Sequence, residues 1–188
     1  MATLTKSMLE DLHKGIAAIS LLPYAEGGVD FSTALNFQEA DQIFTIKDSF
    51  NLTPSDPTTE ERKIDQRDET IDTEVETGEY TMEGQIPSVA SAVLDYFMEK
   101  GVAVTSVKGQ EGDSYSGNAY YNKSKEVIAT VLIESASKKT AIVFARVKFV
   151  VNGVSQEGNS MAYCAFTGSI LANTKAGQGD FAVLKSIA

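Results

Sequence analysis

The chain has little of what metal and redox chemistry needs. Its 188 residues include one cysteine, Cys164, and one histidine, His13. A lone thiol can form neither an intrachain disulfide nor a cysteine-based zinc site, and a lone imidazole excludes a multi-histidine centre. Cys164 lies in an apolar, strand-like stretch, where a small buried hydrophobe is the expected role. His13 belongs to a short N-terminal helix and is expected at the surface, so a Cys–His dyad would have to join opposite ends of the chain. Basic charge is also scarce: 16 Lys and Arg stand against 26 Asp and Glu, a net −10. That balance argues against sequence-independent nucleic-acid binding, whose affinity comes from cations neutralising phosphates. It argues equally against an anionic membrane surface.

Long apolar runs are missing too. Ile16–Leu22 is far too short to span a bilayer, and the opening MATLTKSMLEDLHKG carries no apolar core of a signal peptide. The expectation is a protein made and used in the cytoplasm, or exported without a cleaved signal. The absence of tryptophan and the four prolines exclude nothing.

Catalytic signatures are absent as well. No GxxxxGK[ST], GxGxxG after a strand, GxSxG or HExxH occurs. GQEGDSYSGN, at 109–118, is followed by no lysine to meet a phosphate. Asp65, Asp68 and Asp72 lack the alternate-position ligands and central glycine of a calcium loop, so a solvated acidic segment is the better reading. No pair among the 26 acids is marked out for glycoside hydrolysis. The chain is expected to be no enzyme and to carry no cofactor or metal.

What the sequence does have is concentrated acid. Residues 56–83 hold eleven acids against three bases, a net −8 of the chain's −10. Within this segment Ile71, Thr73 and Val75 alternate with Asp72, Glu74 and Glu76. A period of two describes a strand with one face for a core and one face of carboxylates.

Around that segment the pattern is mostly β. Thr5 can cap a short helix bearing Met8, Leu9 and Leu12, or residues 1–15 form a mobile arm. Strands are expected at Ile16–Tyr24 and Ile43–Leu52, with a long loop over about 53–72. Ser88 is a good N-cap for a helix over about 88–100. Val89, Ala90, Val93, Leu94, Phe97 and Met98 give it an apolar stripe, and Gly101 stands at its C′ position. Further strands are expected at Val102–Val107, Val127–Ile133, Thr140–Val151, Met161–Phe166 and Phe181–Ile187. Gly109–Gly117 reads as a flexible loop. Asn152-Gly153 is the strongest hairpin signal, a type I′ turn. Residues 16–188 are thus expected to form a single, mainly β domain, a sandwich or barrel of antiparallel sheets with one flanking helix.

The order of these elements resembles the phage major tail tube proteins, and more widely the injection-tube proteins that include the type VI secretion tube subunit. FTIKDSFNLTPSDPTTEERKIDQ runs into a long charged loop, and TIDTEVETGEYTMEGQIP leads directly into SVASAVLDYFMEK. An antiparallel meander follows, so the resemblance spans most of residues 16–188. It implies two packed antiparallel sheets flanked by a helix, in hexameric rings whose inner sheets join into one barrel. Rings would stack through long loops and terminal arms, residues 1–15 matching such an arm. By position, Pro57, Glu60, Glu61, Arg62, Lys63, Asp65 and Arg67 match an intersubunit loop, and Asp72, Glu74 and Glu76 match lumen-facing positions. The implied partners are other copies of the chain, other tail proteins, and phage DNA passing without specific binding, with no membrane. The implied location is the virion tail, assembled in the host cytoplasm.

An acidic wall repels phosphates and offers no cations to trap a strand. Arg146 and Lys148 depart from that picture, unless they pair with acids of an adjacent subunit. Two other classes remain open: an isolated β-sandwich binding a ligand or carbohydrate, and another virion component such as a connector or decoration protein.

Overall fold

Alternating burial along the strands sorts the chain into an interior and an exterior. The computed structural model describes residues 15–56, 58–64, 67–76, 79–87 and 91–187. Its strands are β1 (Ala18–Pro23), β2 (Gln42–Ile43), β3 (Asn51–Pro54), β4 (Thr58–Ile64), β5 (Arg67–Glu76), β6 (Tyr80–Pro87), β7 (Met98–Lys108), β8 (Ser114–Ser124), β9 (Val127–Glu134), β10 (Thr140–Ser155), β11 (Tyr163–Leu171) and β12 (Phe181–Lys185). One short helix, α1 (Ser91–Phe97), and a 3-10 turn at Glu39–Asp41 complete the described elements. The protein is mainly β, with antiparallel sheets, one small helix and sandwich-like packing, as the sequence pattern predicts.

The main sheet runs β2-β1-β9-β10-β11-β6-β3, and β12 pairs with the N-terminal half of β10. Its inner face follows the period-two rule: Val127, Ala129, Val131 and Ile133 of β9 all point into the core. On β10 a bulge between Phe144 and Val147 shifts the register against β9. The extra residue lets Phe144 and Val147, three apart, both reach the core. The sheet also curls. Leu52 of β3 shares a cavity of about 290 Å³ with Ile133 of β9 and Ile142 of β10, although β3 lies at the far end of the strand order.

A run of aromatic rings links the helix to this sheet. Phe97 of α1 meets Phe149 at 5.9 Å, Phe149 meets Phe166 at 5.7 Å, and Phe50 lies 6.5 Å from Phe166. Such pairs add about 0.5–1.5 kcal/mol each beyond area burial. Phe166 is registered opposite Gly84, and a Cβ at residue 84 would lie 2.6 Å from the ring. Glycine there makes room for the aromatic.

Several boundaries differ from the sequence expectation. Asn152-Gly153 is not the hairpin turn. Neither residue has a positive φ; β10 continues to Ser155, and the pair falls at a register shift between Val151 and Val154. The reversal comes later, where Gly158 has φ 53° and the Ser160 hydroxyl donates to the Glu157 carbonyl at 2.5 Å. Pairing of Val154 with Cys164 therefore overrides the local turn preference.

The helix also ends early. Met98 pairs with Ser124 and Lys100 with Tyr120, so Gly101 lies inside β7 rather than at a helix end. Ser88 lies outside the described residues. The expected strand Ile43–Leu52 is broken at 44–50, where Asp48 adopts φ 62° and Ser49 N–H closes a turn onto the Ile46 carbonyl at 3.1 Å. Finally, the loop after β7 is only 109–113, because the arms pair as far as Lys108 and Ser114.

Candidate assembly surface

The acidic segment is a hairpin, and the long loop expected over about 53–72 is not present. β3 pairs with β6, and the chain stays bonded beyond it through Ser55 N–H to the Glu79 carbonyl and Glu79 N–H to the Ser55 hydroxyl, both 2.8 Å. β4 and β5 then pair as a separate two-stranded sheet. Thr58-Thr59 and the alternating Ile71, Thr73 and Val75 are good strand formers, and Thr59 is registered with Val75.

The register places the expected site residues. Glu60 is opposite Glu74, Arg62 opposite Asp72, Thr58 opposite Glu76, Glu61 opposite Thr73, Lys63 opposite Thr70, and Arg67 opposite Ile64. Pro57 and Asp65 lie outside the described residues. The intersubunit candidates of β4 and the lumen candidates of β5 are thus two arms of one hairpin. By register, Thr58, Glu60 and Arg62 of β4 share one face with Asp72, Glu74 and Glu76 of β5, so that face holds four acids and one cation.

A second hairpin, β7–β8, exposes apolar surface that the sequence reading did not single out. Val102 is 76% exposed and Tyr115 60%, and Val107 and Tyr121 are also open to solvent. Its base is tied to α1 through Asp95. That carboxylate accepts from the Tyr120 hydroxyl at 2.6 Å and from Lys100 Nζ at 3.1 Å. The tyrosine hydrogen bond, then the lysine, hold Asp95 below its ordinary pKa. The same bond pushes Tyr120 upward. At the other end, Gly109 N–H closes the tip onto the Asp113 carbonyl at 2.7 Å.

The third surface is the edge strand β12. Among the described residues it pairs only with β10, and Val183 is 68% exposed, with Phe181 and Leu184 also open. A free edge carrying apolar side chains is a template for further pairing. At its C-terminal end stands the β9–β10 turn. There Lys138 adopts φ 56°, and the Lys139 carbonyl accepts from Ser186 N–H at 2.8 Å.

The outer face of the main sheet carries polar positions beside the exposed Val150. Thr53, Thr81, Ser169 and Lys148 fall in one row across four strands. The two cations that complicated the charge argument are engaged within the chain. Lys148 Nζ lies 3.1 Å from the Glu126 carboxylate, and the Arg146 guanidinium lies 5.5 Å from the centre of the Tyr24 ring.

Cys164 is buried, and burial pushes its thiol upward, as a packing role requires. His13 lies outside the described residues. Among the described residues no helix is long and apolar enough to cross a membrane, and no three His, Cys, Asp or Glu side chains converge to hold a metal. The chain matches no family model and no curated protein.

Proposed function

We propose that this chain is a structural subunit that self-assembles into hexameric rings, and that the rings stack into a phage-type tail tube for genome passage. The observation that carries the proposal is the apolar surface on strands with open edges, at β7–β8 and β12. A monomer leaving such edges bare invites association, and closing them between copies removes the liability. The acidic hairpin supports the same reading. In a tube, Asp72, Glu74 and Glu76 would serve as the repelling wall and the β4 arm would reach a neighbouring subunit. The partners would be other copies, other tail proteins and passing DNA, in the virion tail.

Negative-stain microscopy with sedimentation velocity tests this directly. Rings or hollow fibres are the expected result. A strictly monomeric protein at high concentration refutes it.

A further inference from the structure

Two of the exposed apolar surfaces, on β8 and on β12, lie on strands that each have one pairing partner among the described residues. The distal half of β8, Ser114–Gly117, is exposed and carries Tyr115. Among the described residues β8 pairs only with β7. The edge strand β12 offers five residues with Phe181, Val183 and Leu184 exposed. Charge distinguishes the two ends of each strand. The tip beyond β8 carries the exposed Glu111 and Asp113, with Lys108 on the opposite arm, while the turn beside the end of β12 carries the exposed Lys138 and Lys139, which make no ion pair among the described residues.

We infer that the distal half of β8 from one copy adds antiparallel to β12 of a second copy, with the acidic tip set against the lysine turn. β8 begins at its tip, and β12 ends at the lysine turn. Bringing tip and turn together therefore makes the strands antiparallel, the commoner arrangement. Tyr115 and Val183 leave water together, and Glu111 and Asp113 meet Lys138 and Lys139. Opposite charges at one end fix the direction of pairing more than they add affinity. The contact is heterologous: each copy uses β8 toward one neighbour and β12 toward the other, so it propagates and closes into a ring when the rotation permits. This inference rests on the self-assembly proposed above and names its edges.

Cysteine cross-linking tests it, with little background because Cys164 is 2% exposed. The double variant Ser116→Cys/Ala182→Cys, in the register that sets Tyr115 opposite Val183, is expected on oxidation with copper phenanthroline to give a ladder of covalent multimers that collapses on reduction. A companion with Leu184→Cys in place of Ala182→Cys covers the register two residues along, which keeps Tyr115 and Val183 on the same face. Each single variant is expected to stop at dimers. Assembly that persists by sedimentation with no ladder from either double variant overturns the edge pairing while leaving self-assembly intact. Monomers throughout, the unmodified chain included, overturn both.

Charge reversal tests the direction. Lys138→Glu/Lys139→Glu is expected to weaken assembly about tenfold, and adding Glu111→Lys/Asp113→Lys to restore it. Loss without restoration, or no loss, overturns the antiparallel orientation.

Discussion

Replacing Phe166 with alanine is the sharpest test of how the body of the protein holds together. Phe166 is fully buried and stands between Phe149 and Phe50, with its ring filling the space left by Gly84. Truncating a buried phenylalanine costs about 3–5 kcal/mol. Two ring contacts are lost with it, and Gly84 has no side chain to collapse into the void, so the upper part of that range applies, about 4–5 kcal/mol. For a domain of this size each kcal/mol lowers Tm by roughly 2–4 °C, which predicts a fall of roughly 8–20 °C. Urea denaturation should be run dilute enough that the protein is monomeric, because association adds apparent stability. Phe166→Leu keeps most of the volume and should cost only about 1.5 kcal/mol. A Phe166→Ala cost below about 1.5 kcal/mol, or equal costs for Ala and Leu, would refute the packing argument.

Other expected outcomes are equally specific. Neutralising Glu74 and Glu76 to Gln should leave the fold intact while slowing DNA passage in an ejection assay; unfolding would show instead that these acids stabilise the subunit. Removing Thr58–Glu76 and joining Ser55 to Glu79 by a short turn should preserve the circular dichroism spectrum, because β3 and β6 pair without the hairpin, and should block polymerisation; tubes of normal length would remove the hairpin from assembly. Asp95 has a depressed pKa, so its contribution is present above the ordinary carboxylate range and lost as pH falls through its folded value. Asp95→Asn should therefore lower Tm at pH 7 and leave it almost unchanged near pH 2; an equal loss at both would refute the linkage. Gly28 has φ 80°, and a Cβ there would collide with the Lys175 backbone. Gly28→Ala should cost about 1–3 kcal/mol by thermal melting, and a neutral result would refute that close approach.

The β character of the chain was legible because alternation survives wherever one face is buried. β9 and β10 show it most clearly, and the sequence reading placed both within a few residues. Two of the failures share one cause: a local signal lost to pairing at a distance. Asn152-Gly153 has the chemistry of a tight turn, but Val154 finds a partner in Cys164 and carries the strand through. Gly101 has the chemistry of a helix end, but β7 is already paired from Met98 onward. The span before residue 70 read as loop because Glu60, Glu61, Arg62 and Lys63 follow one another and leave no apolar alternation to mark a strand. Exposure of Val102, Tyr115 and Val183 could not be read at all, since a valine in a strand looks the same whether or not a layer covers it. A β-rich run after the expected helix, rich in Val and Tyr yet lacking a second apolar layer to meet it, was the only available hint.

The charge distribution takes on a different meaning once the cations are located. On a strand that could line a channel, Arg146 and Lys148 looked like sites that would hold DNA. Lys148 is matched by Glu126, and Arg146 lies over Tyr24. The row across the strands beside them holds Thr53, Thr81 and Ser169, whose hydroxyls carry no charge. A wall that lets DNA slide needs above all to lack free cations, because each one neutralised by a phosphate releases counterions and tightens binding. Net acidity is then sufficient but not required at every position. In such a tube the hairpin carboxylates would serve for repulsion or for a neighbour's lysines, and Glu83 would add a further acid on the sheet. In the proposed tube, the concentration of acid in 56–83 and the pairing of Lys148 with Glu126 would both weaken the hold of the wall on DNA.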